Sequence, residues 1–494
     1  MNNTKTSYGN IFKTTFLFGF VQVFKALISI IVNKLAAILI GPNGMGLLSI
    51  YNSTISLIQT GAGLGLNQSA VRDVAEANGT GDELRRNKVI NITLRAVLYT
   101  GLLGFIITVA MSYFISDWTM GNHNYTLIYC ILAVVICLNI INEGRQAIFK
   151  GMRLMRYLAY ASIIGTTTSL FISIPLYYFF GIDGIIPSLL LSSMITLLAS
   201  NYFIHKIGIP KSQISLKTLR KEASPMIKIG TVLMFVTFLQ TIVAFCVNSF
   251  VRKEGGIEDV GFYNCGQYLL SGYFGLIITA LMTDYYPRIA AVNSDNTKLS
   301  EELNKQTLVT LVLCCPIIAI FITMLPFFIR ILYTEEFLPV IDYVKVAIFG
   351  TLIMSISNPC DMILVVKQES KLLVWISIVI RLFQLITSYI LYIKFGLIGL
   401  GFSFILVIAL HAFLIYSIAY KKYNIVLDKA NRLFLITIIF LLTIAVLLNN
   451  IEDSTLRFIS ASTLIILFCT VDYYVIKQII GINIKNLIQK LLHK

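Results

Sequence analysis

Residues 40–76 read IGPNGMGLLSIYNSTISLIQTGAGLGLNQSAVRDVAE. The glycines and the proline at the start predict a tight turn, and the apolar run from Gly46 predicts a helix over about 46–70. Asn52, Ser56 and Gln59 follow one another at spacings of four and three residues, so they lie on one face of that helix. The stretch therefore predicts an apolar helix with one polar face, entered through a glycine turn.

This stretch has a counterpart about 215 positions later in the chain. The turn Phe-Gly-Ile-Asp-Gly at 180–184 likewise matches Phe-Gly-Leu-Ile-Gly at 395–399. Chance alignment of apolar sequence matches many leucines, but it rarely matches the polar minority and the turn glycines as well. The chain therefore reads as two copies of one unit. The matched polar residues are Lys25 with Gln240, Asn33 with Asn248, Asn52 with Gln267, and Ser56 with Ser271.

The composition predicts a membrane protein. The 494 residues are 57% hydrophobic and 13% charged, with a mean hydropathy of +0.82, which is more apolar surface than a soluble core could hide. The apolar runs are continuous rather than alternating, which favours helices over a barrel of strands. A helix needs roughly 20 apolar residues to cross a bilayer. The predicted crossings are 12–40, 46–70, 88–113, 124–145, 157–180, 185–204, 226–251, 261–286, 305–330, 339–366, 372–393, 398–420, 433–449 and 456–476.

We therefore predict an all-α polytopic membrane protein with about fourteen transmembrane helices. Two pseudosymmetric six-helix bundles surround a central cavity, and two C-terminal helices follow them. Because each repeat has an even number of helices, an axis along the membrane normal relates the two copies. The predicted domains are a first bundle at 1–204, a cytoplasmic linker at 205–225, a second bundle at 226–420, and helices 13 and 14 with a cytoplasmic tail at 421–494.

The distribution of basic residues predicts the orientation. Lysines and arginines concentrate beside alternate loops, so the positive-inside rule places both termini in the cytoplasm. The net charge of +15 is explained by this topology and by attraction to anionic lipid, so we expect no nucleic-acid partner. The cysteines and histidines lack the spacing of metal ligands, and we expect no metal site.

Polar side chains on four helices predict a hydrated cavity between the bundles. Polar groups in hydrocarbon need partners or water. The alternative for each single residue is that its side chain joins neighbouring helices; for the whole set we favour the cavity, because the residues follow complete helix faces and recur in both repeats. The candidate lining residues are Gln22, Lys25, Asn33, Asn52, Ser56, Gln59, Gln240, Asn248, Gln267 and Ser271.

Lys25 is the strongest single candidate. It lies 12 residues beyond Lys13, which places it about 18 Å into the bilayer at a rise of about 1.5 Å per residue. In lipid it would cost roughly 2.5–3.5 kcal/mol, so we expect it to face water or an anion. Lys34 lies near the outer interface, where we expect its side chain to extend to water.

Several other charged residues are secondary candidates. Arg95 and Arg381 lie about two turns inside their helices. Their side chains either line a cationic cavity or, as the alternative, extend to the membrane interface or form ion pairs. Asp284 either pairs with Arg288 or binds a coupling cation. His411 is predicted to pack rather than to function, and Glu143 is placed near a hydrated helix end.

The IGPxGxG turn and the following helix resemble the polysaccharide flippases of the multidrug/oligosaccharidyl-lipid/polysaccharide exporter superfamily, particularly the O-antigen and enterobacterial common antigen translocases. The resemblance implies alternating access, in which undecaprenyl-pyrophosphate-linked oligosaccharide crosses from the cytoplasmic to the periplasmic leaflet of the bacterial inner membrane. It implies that Lys25, with Arg95 and Arg381, attracts the pyrophosphate, while the asparagines and glutamines bind sugar hydroxyls. Expected partners are the lipid-linked substrate, membrane lipid and the polysaccharide polymerase machinery.

On this interpretation the protein is a transporter without catalytic residues or cofactors. No GxxxxGK[ST] nucleotide-binding loop occurs, so the expected energy source is a Na⁺ or H⁺ gradient or the membrane potential. Three alternatives stay open. A multidrug antiporter would favour cavity carboxylates over Lys25, a lipid II flippase would concentrate arginines in its first helices, and a membrane polysaccharide polymerase would need a large outer loop.

Overall fold

The computed structural model describes residues 2–210, 216–448 and 454–475; the side chains of residues 1–23 lie outside its described part. Within these ranges the chain is helical and contains no strand. The prediction of an all-α polytopic membrane protein is confirmed.

The helices follow the predicted crossings closely. Tyr268–Phe274 is a π-helical turn between α8 and α9, and Gly181–Gly184 and Glu335–Phe337 are short 3₁₀ turns. The α-helices are α1 Asn2–Gly63, α2 Leu66–Gly79, α3 Glu83–Met120, α4 Thr126–Gly151, α5 Met155–Phe180, α6 Ile185–Lys206, α7 Leu216–Gly255, α8 Ile257–Gln267, α9 Gly275–Ala291, α10 Asn296–Thr323, α11 Leu325–Leu332, α12 Val340–Val366, α13 Ser370–Tyr423, α14 Lys429–Leu448 and α15 Ser454–Val475.

Nine helical stretches in the described ranges are long and apolar enough to cross a membrane, and three of them contain two predicted crossings each. These three are Phe24–Gly63, Met155–Lys206 and Ser370–Tyr423. Each is interrupted by a glycine of positive φ, namely Gly41, Gly181 and Gly396. The bent pair Ile257–Thr279 and Asp284–Ala291 corresponds to predicted helix 8. The glycine breaks therefore separate the crossings that the sequence predicts.

The two repeats share the same backbone geometry at equivalent turns. Gly181 has φ 56° and ψ −129°, and Gly396, its equivalent, has φ 58° and ψ −138°. One turn later, a Cβ on Gly184 would lie 2.3 Å from the Leu176 carbonyl oxygen, and a Cβ on Gly399 would lie 2.0 Å from that of Leu391. Only glycine fits such positions. The duplication predicted from polar residues is thus also present in the main chain.

Hydroxyl pairs reinforce the same turns. Ser173 and Ser188 share a hydrogen bond of 2.6 Å between α5 and α6. In the second repeat, Ser388 and Ser403 share one of 2.9 Å across the break in α13. All four side chains are buried. Because a buried hydroxyl without a partner is costly, each pair favours one register between the two helices that it joins.

The chain forms two compact units. Unit 1 comprises Met1–Gly261 with Leu332–Thr334, and unit 2 comprises Phe262–Ile331 with Glu335–Lys494. In unit 1, α7 packs against α1, α2 and α3, and Met226 joins a buried cluster with Leu66 and Ala96. In unit 2, α12 packs against α10 and α13. α7 therefore packs with the helices of unit 1, although the repeat assigns most of it to the second bundle. The bundle boundaries derived from the repeat stay a prediction.

Gly181→Ala and Gly396→Ala should each lower stability by about 1–2 kcal/mol, because an L-residue is strained at positive φ. Nothing lies within 4 Å of the added methyl at either position, so the loss reports backbone strain alone. Gly275→Ala is the matched control, since its methyl is equally free and its backbone is helical. Thermal unfolding in detergent measures the difference. Equal melting temperatures for all three variants would contradict the prediction.

Candidate functional site

The predicted polar face of unit 1 is largely uncovered by protein. Asn52, Ser56 and Gln240 are exposed, and Asn33 is partly buried. Each of these side chains lies within an apolar helix, so facing lipid would be costly. Asn248 differs from them because it is only 4% exposed and lies inside the helix packing. The side chain of Gln22 lies outside the described part of the chain.

Lys25 is partly buried on α1 and lies near a second cation. The ammonium of Lys150, at the last turn of α4, is close enough for electrostatic repulsion between the two charges. Two like charges at such a site destabilise each other unless an anion lies between or beside them. Two positive charges therefore lie within electrostatic reach of each other, and the carboxylate of Glu143 offsets part of that charge.

Glu143 supplies a carboxylate within electrostatic reach of Lys150. Gln59 Nε2 donates to Glu143 Oε1 at 2.7 Å, and Asn67 Nδ2 donates to Glu143 Oε2 at 3.1 Å. Lys150 attracts the same carboxylate electrostatically. The carboxylate and the two amides thus meet where α1, α2 and α4 approach one another.

A cavity of about 140 Å³ opens beside Glu143. Among the described residues that line it, Glu143 is the one charged group, and amides and hydroxyls supply most of the remaining polarity. Such a lining offers both donors and acceptors to a neutral polar ligand. The lining residues are Gln59, Thr60, Gly63, Gly65, Leu66, Asn67, Gln68, Val97, Ile140, Glu143, Gly144, Met234 and Thr237.

The prediction that Glu143 lies near a hydrated helix end was wrong. The predicted helix ended at residue 145, whereas α4 continues to Gly151, so Glu143 lies about two turns inside it. The basic residue Lys150 caused the early boundary, since it was assigned to the loop. The presence of Gln59 and Asn67 on one helical face was the available signal, but sequence cannot reveal that both amides point at α4.

Unit 2 contains a second polar cluster. His411 Nε2 lies 3.4 Å from Asp361 Oδ1, which joins the second half of α13 to α12. Arg381 donates to Gln384 at 2.6 Å and interacts electrostatically with His411. His411 therefore has a carboxylate partner, and the expectation that it packs rather than functions stays a prediction.

The remaining second-repeat candidates have local partners. Gln267 Nε2 donates to the hydroxyl of Tyr263 at 3.2 Å, and the Ser271 hydroxyl donates to Gln267 Oε1 at 3.4 Å. Asp284 is exposed and pairs with Arg288 at 2.9 Å, which is the first of its two predicted roles. Arg288 also bonds Glu302 and Gln306.

Two further cations are engaged by the protein. The Lys34 ammonium donates to the carbonyl oxygen of Tyr333. An ammonium has three N–H donors, so the expectation that Lys34 also extends to interfacial water stays a prediction. Arg95 is partly buried and also has partners in the protein.

The duplicated apolar helices with polar faces are those of a polytopic membrane protein, and two family matches make it a transporter of the multidrug/oligosaccharidyl-lipid/polysaccharide exporter superfamily. The chain belongs to the polysaccharide biosynthesis protein family, which matches residues 11–293. The MatE family matches residues 233–390. No curated protein matches the sequence.

Solved structures share the fold at low identity. A structure titled lipid II flippase MurJ in an inward closed conformation is 14% identical, with a TM-score of 0.68 and coverage of 94% of this chain and 99% of that one. An inward-facing multidrug resistance MATE family transporter is 15% identical, with a TM-score of 0.64 and coverage of 82% and 98%. A superfamily transporter from Pyrococcus furiosus, titled as having a binding pocket of reverse polarity, is 13% identical, with a TM-score of 0.57 and coverage of 83% and 96%.

The exposure of the polar face can be tested with single cysteines in a variant without native cysteines. Asn52→Cys should react with a membrane-impermeant maleimide at least about tenfold faster than Thr54→Cys, because only a hydrated thiol ionises readily. Thr54 lies two residues away on the same helix and is 1% exposed, so it is the matched control. Equal rates would favour packing between helices over a hydrated cavity.

Proposed function

We propose that this transporter moves undecaprenyl-pyrophosphate-linked oligosaccharide, an O-antigen or related repeat unit, from the cytoplasmic to the periplasmic leaflet of the bacterial inner membrane. The observation that carries the proposal is the amide-lined cavity of Glu143, with Lys25 and Lys150 on the same helices, α1 and α4, that supply Gln59 and Glu143. Membership of the polysaccharide biosynthesis family supports the class of substrate.

The lysine pair suits a diphosphate. Repulsion between the two ammonium groups is relieved when an anion binds, so anion affinity is built into the site. Lysine binds phosphate as a point charge without strict geometry, which suits a substrate that must also leave. Arg95 and Arg381 are proposed to add positive charge along the path of the diphosphate.

The neighbouring amides suit sugar hydroxyls. A hydroxyl both donates and accepts, and the cavity offers the carboxylate of Glu143 together with the amides of Gln59 and Asn67. The exposed Asn52, Ser56 and Gln240 extend this polar surface. Gln22, Asn33, Asn248, Gln267 and Ser271 are proposed to contribute in other conformations of an alternating-access cycle.

The proposed direction agrees with the charge of the substrate. With both termini in the cytoplasm, outward movement of an anion is favoured by an inside-negative potential, at about 2.3 kcal/mol per charge per 100 mV. The membrane potential therefore supplies a driving force without nucleotide hydrolysis. A Na⁺ or H⁺ gradient is a further proposed energy source. The proposed partner is a polysaccharide polymerase, which would consume the transported oligosaccharide.

An ion-coupled multidrug antiporter is the second candidate. The match to the MatE family and the Asp361–His411 pair favour it, because paired titratable groups in a helix bundle suit cation coupling. The lysine pair opposes it, since it would repel a cationic drug. The fold shared with MurJ also makes a lipid II flippase a candidate, and that substrate would use the same diphosphate contacts.

Lys25→Ala should lower surface polysaccharide about tenfold or more at native expression, because a lost charged contact is worth about 1.5–3 kcal/mol. Lys25→Arg should retain more activity, since it keeps the charge. Lys394→Ala, at an exposed lysine of α13, is the control. The measurement is surface glycan per cell, with protein amount in the membrane determined in parallel.

Normal surface glycan in the Lys25→Ala strain would contradict the docking of a diphosphate there. Deletion of the gene separates the candidates. Loss of surface glycan with normal wall growth supports the proposed substrate, arrested wall growth supports lipid II, and drug sensitivity with normal glycan supports the antiporter.

Glu143→Ala should lower surface polysaccharide about tenfold, whereas Glu143→Gln should keep at least about half of it, because glutamine still accepts and donates hydrogen bonds. Glu301→Gln removes an exposed carboxylate elsewhere and controls for net charge. Equal loss in Glu143→Gln and Glu143→Ala would mean that the negative charge, rather than hydrogen bonding, is required.

A further inference from the structure

The helix α15, which has no counterpart in the repeat, carries a carboxyl on its buried face. Leu464, Phe468, Asp472 and Val475 follow one another at spacings of four, four and three residues, so they lie on one stripe of the helix. All four are buried, and α15 packs against α10 and α14. Asp472 therefore takes a place that apolar side chains take elsewhere on this stripe.

Asp472 has no hydrogen-bond partner in the part of the chain that the structure describes. The residue is 5% exposed, and both of its carboxylate oxygens are covered by protein without accepting a hydrogen bond. Its neighbours Tyr473 and Tyr474 are exposed and point away from the buried stripe. An ionised carboxylate placed in this way is costly, because it has lost water and gained nothing in return.

The charged side chains of the neighbouring helices do not neutralise Asp472. Those of α10 and α14 are exposed, apart from Glu302, which Arg288 engages. The titratable thiols of α10, Cys314 and Cys315, are buried near the middle of that helix. The charged residues concerned are Lys298, Glu301, Glu302, Lys305, Lys429 and Arg432.

Two further buried polar atoms on α10 and α14 lack partners. Asn431 Nδ2 donates to the carbonyl oxygen and to Oδ1 of Asn304, each at 3.0 Å. Because both partners of this amide are oxygens, its nitrogen must face them, and its own Oδ1 is left buried without a donor. Thr307, three residues beyond Asn304 and so on the same face of α10, is fully buried with its hydroxyl unpartnered.

Asp472 and Asn431 lie at the same depth in their helices. Asn431 precedes Leu448, the last residue of α14, by 17 positions, and Asp472 follows Ser454, the first residue of α15, by 18. The two helices are consecutive crossings that pack against each other, so equal counts from their shared end give equal depths. The positive-inside pattern predicts that this depth is near the cytoplasmic side.

We propose that Asp472 is a proton-binding site, held neutral among α10, α14 and α15. A protonated carboxyl has what the two unpartnered groups lack: an O–H donor for the Asn431 amide oxygen, and a carbonyl acceptor for the Thr307 hydroxyl. One proton therefore removes the buried charge and pairs three groups that otherwise have no partner. The proposal gives the H⁺ gradient a residue that carries its proton, so it rests on the proposed function for what the proton drives but not for its binding.

The site is placed where proton loss would change the packing of helices. Asn304 also binds the segment that joins α13 to α14: its amide donates to the Val426 carbonyl oxygen at 2.8 Å, and its Oδ1 accepts from the Asp428 amide at 2.8 Å. These contacts hold the start of α14 against α10. An ionised Asp472 would have to regain water, which favours movement of α15 away from α10. Exchange of one proton therefore biases the position of α15.

The site can be tested with dicyclohexylcarbodiimide on the purified full-length protein. This apolar reagent takes the proton of a neutral carboxyl onto one nitrogen and binds the carboxyl oxygen at its central carbon, and an acyl shift to nitrogen gives a stable N-acylurea. Mass spectrometry of peptides should find the adduct on Asp472, with a rate that falls about tenfold per pH unit once the carboxyl ionises. Glu301, an exposed carboxylate of α10, is the internal control and should stay unmodified.

An unmodified Asp472 at every pH, or modification equal to that of Glu301, would overturn the proton site. Loss of the adduct in sodium chloride but not in potassium chloride of equal concentration would assign the site to Na⁺ and also overturn it. The labelling does not depend on which substrate is carried, so it separates failure of this site from failure of the proposed function.

Asp472→Asn distinguishes proton exchange from a structural role. Asparagine keeps a donor for Asn431 and an acceptor for Thr307 but cannot release a proton, so the variant should fold with an unchanged melting temperature and export about tenfold less surface glycan. Thr470→Val, at an exposed residue two positions away, is the control and should export normally. Normal export by a stably inserted Asp472→Asn would overturn the coupling role.

Discussion

Main-chain hydrogen bonding in hydrocarbon is the constraint on which the rest of this structure depends. Because lipid offers no partner to a free amide or carbonyl, the chain stays helical across the membrane and changes direction only at breaks that its own atoms satisfy. Here the breaks are glycines such as Gly181 and Gly396, which reach positive φ and let a carbonyl approach closely. Gly46 and Gly261 show the same close approach, to the carbonyl oxygens of Ile257 and Pro42.

The duplication accounts for the turns between the helices but not for the positions of the charged side chains. Equivalent glycines and serines preserve the turns in both copies, whereas the charged site occurs once. Lys25 corresponds to Gln240, and Gln59 and Asn67 of the Glu143 cavity correspond to Phe274 and Met282. Unit 1 therefore carries Lys25 and the polar cavity of Glu143. Unit 2 carries a different pair, Asp361 with His411. After duplication the turns kept the geometry that folding requires, while the polar faces became specialised.

This asymmetry also shows how far sequence reasoning reaches in a membrane protein. A lysine in an apolar helix is conspicuous, because the bilayer makes its cost large, and Lys25 was found for that reason. Glu143 was missed because its helix was ended too early, and a carboxylate at a helix end carries no signal. The contact of Lys34 with the carbonyl of Tyr333, 299 positions away, could not be anticipated from either segment. Contacts were missed where the partner was distant in the chain.

The sequence alone determined the membrane class, the all-helical architecture, the duplication and the position of its turns, because these follow from local apolarity, glycine placement and a repeat at a constant offset. It also made Lys25 a candidate, because a lysine is rare in an apolar helix. Only the tertiary structure decided which polar groups meet: Lys150 beside Lys25, Gln59 and Asn67 on Glu143, and the turn of Gly46 on that of Gly261. Periodicity along one helix specifies which face is polar, but the partner of that face depends on how separate helices pack, and packing is a property of the whole chain.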